Sequence, residues 1–323
     1  MGLLIDGVWH EDNSDLIAPE GSFRRPASRF RGRVGGDDGA HPPAAGRYHL
    51  YVAYSCPWAH RALVMRALKG LQAAIPVSVM HWHLDNHGWR FEPTDDGATV
   101  DAVHGFDRLH QVYTAARPDY TGRVTVPVLW DNQAGTIVSN ESADVMRMLN
   151  NDFNAVAERP DLDFYPADLA AEIDAMNERL HGDVNSGVYK VGQAKTQDAY
   201  DAAFERLFAA LDALDALLAS RRYLLGDRIT ESDWRLFTTL VRFDAVYVGH
   251  FKCNLRRIAD YANLAGYLRE LYQWPDVAET VVMAHIKRFY YVSQTGINPT
   301  GIVPGGPVLD FTAPHGRDHL KAA

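Results

Sequence analysis

A chain of 323 residues is long enough for about two domains, and 47% apolar residues give each of them material for a core. The formal charge of −9 argues against nucleic acid or an anionic membrane as partner, and two cysteines are too few for a secreted disulfide framework. No uncharged apolar run approaches the ~18 residues of a membrane span. Met1–Asp6 lacks both the basic start of a secretion signal and the Ser or Thr of a myristoylation signal, so a soluble cytoplasmic protein is expected.

Residues 1–47 read as an irregular extension, because Gly, Pro, Arg and Asp dominate 10–47 without a sustained period. Residues 48–150 alternate. Strands are predicted at Tyr48–Tyr54, Val77–Trp82, Val126–Asp131 and Thr136–Val138, and helices at Pro57–Leu71 and Glu141–Asn150. That order implies a two-layer α/β domain with a small mixed sheet. Residues 165–293 carry only helical patterns, at Ala167–His181, Ala199–Ser220, Leu236–Val246, Leu264–Tyr272 and Val277–Arg288. Thr230 and Asp233 read as a capping box, with Ile229 and Trp234 as its hydrophobic staple. Residues 294–323 form an irregular Pro/Gly-rich tail.

The chemistry concentrates at Ser55-Cys56-Pro57-Trp58-Ala59-His60-Arg61, where a strand feeds a helix. Pro57 occupies a first-turn position that needs no N–H, and the unpaired N–H groups and helix dipole favour an anion there. Thiols so placed ionise with pKa values of roughly 3.5 to 7.5, so Cys56 is expected to be a thiolate near neutral pH. Ala59 stands where a Cys-x-x-Cys protein has its resolving cysteine, so a disulfide at Cys56 must be resolved by a thiol from elsewhere. Pro127 fits an edge strand or a cis Val126–Pro127 bond. Its spacing after Cys56 favours the cis form, which turns the Val126 backbone toward an extended peptide ligand. In Ser139-Asn140-Glu141-Ser142 the helix start fits an ordinary cap. It also fits a site in which Ser142 and backbone N–H groups hold a carboxylate and Glu141 an ammonium, the pair that the γ-glutamyl end of glutathione presents.

The chain resembles the xi-class glutathione transferases, the glutathionyl-hydroquinone reductases. The resemblance rests on Leu3–Trp9, Tyr48–Val52, Cys56–Arg61, Gly88-Trp89, Val124–Asp131, Ser139–Ser142, Gly187–Lys190, Leu236–Arg257 and Ile297–Pro304, nearly end to end. Cys56–Ala59 and Val246–Asn254 are its most specific stretches. It implies the glutathione transferase fold, an α/β thioredoxin-like N-terminal domain followed by an all-α C-terminal domain. The implied chemistry has Cys56 attack the sulfur of an S-glutathionyl hydroquinone, release the hydroquinone, and pass through a mixed disulfide that a second glutathione resolves. By the same resemblance Trp89 stacks over glutathione, Arg123 pairs with its glycyl carboxylate, Val126 binds its cysteinyl backbone, and Glu141 and Ser142 hold its γ-glutamyl end. Tyr189 and Tyr290 (or the adjacent Tyr291) offer hydroxyls to the ring. A homodimer is expected, with no metal and with glutathione as co-substrate.

The chain departs from many relatives at Met80–His87, where His81, His83 and His87 gather. With no cysteine among them and unsuitable spacing, they point to an altered glutathione rim rather than a metal site. Such a rim leaves open another low-molecular-weight thiol, such as mycothiol. His60 and Arg61 could add positive potential near the thiol, and a helix-surface role fits them at least as well. Cys253 reads as structural, although it lies among Lys252, Arg256 and Arg257, which could activate it. That basic run reads as a solvated or domain-contact face. Two other functions stay open: thiol transfer or dehydroascorbate reduction by the same Cys56, and a non-catalytic interaction protein that keeps the fold.

Overall fold

The computed structural model describes residues 2–11, 18, 21, 27–36 and 39–321. These fall into two compact units. The first takes the described residues up to Leu162, except 18 and 21, together with Glu279–Gln294; the second takes the remainder.

The first unit is built on a four-stranded sheet of β3 (Tyr48–Val52), β4 (Val77–Val79), β6 (Val128–Asp131) and β7 (Thr136–Ser139), in the order β4-β3-β6-β7. β3 runs parallel to β4 and antiparallel to β6, and β7 closes the edge antiparallel to β6. All five residues of β3 are buried, as expected of a strand covered on both faces. The crossover between β3 and β4 is α1 (Pro57–Leu68), buried everywhere except Arg66 and packed against α3 (Ser142–Arg147). α3 runs on into a π-helical turn, Met148–Asp152.

The N-terminal extension is not wholly irregular. β1 (Leu3–Ile5) and β2 (Val8–His10) form a hairpin, and β1 pairs in turn with β5 (Gly122–Arg123). The turn is Asp6-Gly7, both at positive φ, the geometry that matches the twist of a two-residue hairpin. At Gly7 a Cβ would also meet the Pro118 carbonyl oxygen at 2.0 Å. The Trp9 indole donates to the Asn86 carbonyl (2.9 Å) and stacks on His110 of α2 (Leu109–Ala116), a helix with no counterpart in the sequence reading.

Farther along, Asp131 at the end of β6 is fully buried and accepts from Arg47 (Nη2, 2.6 Å) and His41 (Nδ1, 2.8 Å). Burial opposes its ionisation. Hydrogen bonds from Arg47, His41 and the Ala134 and Gln133 amides outweigh that and draw the carboxyl down to about 2.

The second unit is helical: α4 (Ala170–Arg179), α5 (Gly187–Gly192), α6 (Gln197–Leu218), α7 (Glu231–Arg242) and α8 (Leu264–Tyr272). Every residue of α7 is buried, and its start has the capping box, with the Thr230 amide donating to Asp233 (2.8 Å). Asp233 also accepts from the Leu224 amide and the Tyr267 hydroxyl, while burial raises its carboxyl above the usual range. Residues 295–321 contain neither helix nor strand; Arg317 anchors them by donating to Glu270 (3.0 Å).

The last helix, α9 (Met283–Ser293), belongs to the first unit, whereas the sequence pattern places it with the helical domain. Helical periodicity shows which face is apolar, not which partner covers it. Here the ties include polar contacts distant in sequence. His285 and Arg288 both engage Asp96 (3.0 and 2.7 Å), and Ser293 accepts from the Leu84 amide (3.0 Å).

The Asp131 cluster generates a pH prediction. A carboxyl depressed in the folded state from 3.8 to about 2 adds stability above its unfolded value and loses it as pH falls through the folded one. Asp131→Asn should therefore cost about 3 kcal/mol near pH 7. Urea denaturation at successive pH values should show the gap to wild type narrowing between about pH 4 and 2; a constant gap would contradict the assignment.

Candidate active site

Cys56 is the N-cap of α1, in extended conformation (φ −80°, ψ 119°), with Pro57 beginning the helix and no acidic side chain in the first turn. Its amide donates to Ala53 (3.1 Å), and its carbonyl receives the His60 amide (3.0 Å). These bonds fix the backbone on both sides of a partly exposed thiol. The Sγ lies 3.8 Å from the Val126 carbonyl oxygen, and the Val126–Pro127 peptide is cis. One wall of the site is thus a main-chain edge.

Glu141 caps α3. Its Oε1 accepts from the Ala143 amide (3.3 Å) and the Ser142 hydroxyl (3.4 Å), and its Oε2 from the Ser28 hydroxyl (2.8 Å). Arg123, on β5, is buried and donates from Nη1 to the Gly2 carbonyl (3.2 Å), so its guanidinium is set by the N-terminal hairpin. Trp89 is buried and stacks on Phe289 of α9, with centroids 5.3 Å apart and planes within 12°. Its neighbour Gly88 has φ +83°, and a Cβ there would sit 2.7 Å from the Trp9 ring. Tyr290 is fully buried and edge-on to Phe289, while Tyr291 keeps 9% exposure. Tyr189, on α5 of the second unit, is partly exposed among Tyr247 and Phe251.

Two family models match: Glutathione S-transferase, N-terminal domain, over residues 55–152, and Glutathione S-transferase, C-terminal domain, over 197–270. The glutathionyl-hydroquinone reductase YqjG of Escherichia coli is 49% identical over 98% of this chain and 99% of its own length. The glutathionyl-hydroquinone reductase PcpF of Sphingobium chlorophenolicum is 51% identical over 95% and 96%. Among solved structures, the xi-class transferase of Natrialba magadii superimposes with a TM-score of 0.94 at 48% identity, covering 100% of this chain and 98% of that one. The glutathione-bound structure of YqjG gives 0.89 at 48% identity, covering 98% and 99%. The chain belongs to the xi-class glutathione transferases.

In this xi-class transferase the secondary candidates resolve in structural terms. Cys253 is fully buried, close to the Val188 and Phe251 carbonyls, and burial pushes its thiol well up; the cationic neighbours do not activate it. Arg256 and Arg257 instead pair with Asp212 and Asp260. His60 is buried with Nε2 2.7 Å from the Thr280 hydroxyl, and the Arg61 guanidinium lies 4.5 Å over the Trp58 ring, so neither is on the helix surface. His81 Nδ1 accepts from the His83 amide (2.9 Å), and burial pulls both rings below the usual imidazole range. Among the described residues, no three His, Cys, Asp or Glu side chains stand where they could share a metal ion. Among them, too, no helix is long and apolar enough to cross a membrane.

Sequence reasoning overlooked Ser28 and Phe289. Neither carries a local motif: one reaches its partner across 113 positions, and the other is one aromatic in an apolar helix face.

The contrast between the two thiols is directly measurable. Iodoacetamide on the native protein should add one label, at Cys56, and a second only after denaturation. Peptide mass mapping reads both; labelling of native Cys253 would contradict the burial.

Proposed function

We propose that this transferase reduces S-glutathionyl hydroquinones to hydroquinones with glutathione as reductant. The observation that carries the reading is a single accessible thiol at a helix N-cap facing a main-chain carbonyl, with the other cysteine buried and its ionisation suppressed. YqjG and PcpF, close to half identical over nearly the whole chain, bear the name of this activity.

The Cys56 thiolate attacks the glutathionyl sulfur of the substrate. The sulfur–carbon bond breaks, its electron pair goes to the ring carbon, and a proton converts that carbon to the C–H of the hydroquinone. Cys56 is left disulfide-bonded to glutathione. A second glutathione, as thiolate, attacks this disulfide, leaves as oxidised glutathione and restores the Cys56 thiolate. Per turnover one thioether and one thiol become one hydroquinone and one disulfide, so no further oxidant or reductant enters. The absence of a cysteine at position 59 suits resolution by an external thiol.

In this reading the Val126 main chain receives the cysteinyl unit, Glu141 and Ser142 the γ-glutamyl end, Arg123 the glycyl carboxylate, and Trp89 walls the site. Tyr189 and Tyr290 offer hydroxyls to the ring. Support comes from their matches to the family motifs and, for Val126, from its 3.8 Å approach to the sulfur. The reading includes a homodimer in a reducing cytoplasm, consistent with the two-cysteine composition.

Turnover of glutathionyl-menadiol with excess glutathione should fall about a thousandfold or more in Cys56→Ala, and about tenfold or more in Tyr189→Phe and Tyr290→Phe. Chromatography of menadiol and oxidised glutathione in one-to-one yield checks the stoichiometry. Wild-type protein that reduces small mixed disulfides and leaves the thioether intact would instead be a thioltransferase.

A further inference from the structure

The N-terminal segment carrying Ser28 lies along β7 and is fixed there from several directions. Arg31 bridges Ser139, and the Gly32 amide donates to the Val138 carbonyl (2.8 Å). The Phe30 amide donates to the Asn140 side chain (3.1 Å), while the Phe30 carbonyl accepts from the Asn140 amide (3.2 Å) and the Ser139 hydroxyl (3.3 Å). Arg31 forms an ion pair with Asp144, and at Gly32 a Cβ would lie 2.8 Å from the Val138 carbonyl oxygen. This register sets Ser28 opposite Glu141. Its hydroxyl is 2.8 Å from Glu141 Oε2 and 3.3 Å from the Asn140 carbonyl. The contact with Oε2 is shorter than either contact to Oε1.

We propose that Ser28 is a positioning residue that aims the Glu141 carboxylate at the ammonium of a γ-glutamyl thiol. This rests on the function proposed above and adds to it a basis for ligand selection. A free glutamate side chain must give up rotamer freedom when it captures an ammonium. A carboxylate already oriented by a hydroxyl has met that entropy cost during folding, so binding keeps more of the interaction. A hydroxyl suits the task because it is a neutral donor, which orients the carboxylate without cancelling the charge that attracts the ligand. An arginine or lysine at position 28 would compete with the ligand for that charge.

Calorimetry of glutathione binding to the full-length protein tests the inference, with deamino-glutathione, which lacks the α-ammonium, as second probe. Ser28→Ala should weaken glutathione binding about tenfold, and Ser28→Thr, which keeps the hydroxyl, should hold the affinity within about twofold of wild type. Toward deamino-glutathione, Ser28→Ala and wild type should bind alike. In turnover the loss should appear in the KM for glutathione with kcat preserved. Unchanged glutathione affinity in Ser28→Ala would overturn the inference alone, and so would an equal loss toward the deamino analogue. A wild-type protein that binds no glutathione would overturn the functional reading as well.

Discussion

The site depends on a thiol placed at the first turn of a buried helix. An N-cap residue stands half outside the helix, so Cys56 is anchored by backbone bonds to Ala53 and His60 while its sulfur stays partly accessible. The helix end supplies unpaired N–H groups, and no acid in the first turn opposes an anion. α1 is buried almost all round and packs on both β3 and α3, so the backbone that carries the sulfur near the Val126 carbonyl is held in place. A rigid helix facing a main-chain edge is what an attacking sulfur requires, because displacement at sulfur needs a defined line of approach.

Around that centre, the N-terminal extension is tied to the first unit at several points. Its hairpin pairs with the strand bearing Arg123, and Gly2 accepts from that guanidinium. Trp9 packs on the glycine before Trp89. Residues 28–32 lie on β7 and reach Glu141, and Arg47 and His41 lock onto Asp131. Each contact joins residues far apart in the chain, so the extension braces Arg123 and Glu141, the residues proposed above for the two ends of glutathione. α9 adds a further brace by placing Phe289 against Trp89.

How much of this the sequence disclosed follows from the range of each interaction. The β3–α1 junction, the Thr230–Asp233 capping box and the cis bond at Pro127 are local, and a few adjacent residues announce them. The Asp6-Gly7 hairpin was equally local, and its turn signal stood in the sequence unused amid the glycine- and proline-rich surroundings. The home of α9 and the Ser28–Glu141 contact were beyond reach, since both depend on pairings more than a hundred positions apart. At Cys253 the sequence left activation by cationic neighbours open beside a structural role, and burial decides for the structural one. Its neighbours in sequence are cationic, yet their side chains pair outward with Asp212 and Asp260 while the thiol turns into the core. For the residues proposed from the sequence, the structure supplies contacts that the sequence does not: Val126 with Cys56, Glu141 with Ser28, and Ser142 with Glu141.

Covalent carriage of glutathione by Cys56, as proposed above, is tested most directly by a single turnover. Enzyme is mixed with one equivalent of glutathionyl-menadiol in the absence of free glutathione, quenched in acid, and examined by intact-protein mass and chromatography. One menadiol should be released per thiol and one glutathione should be disulfide-bonded at Cys56, discharged as oxidised glutathione when glutathione is added. Menadiol that appears only after glutathione is added, with Cys56 unmodified throughout, would contradict it.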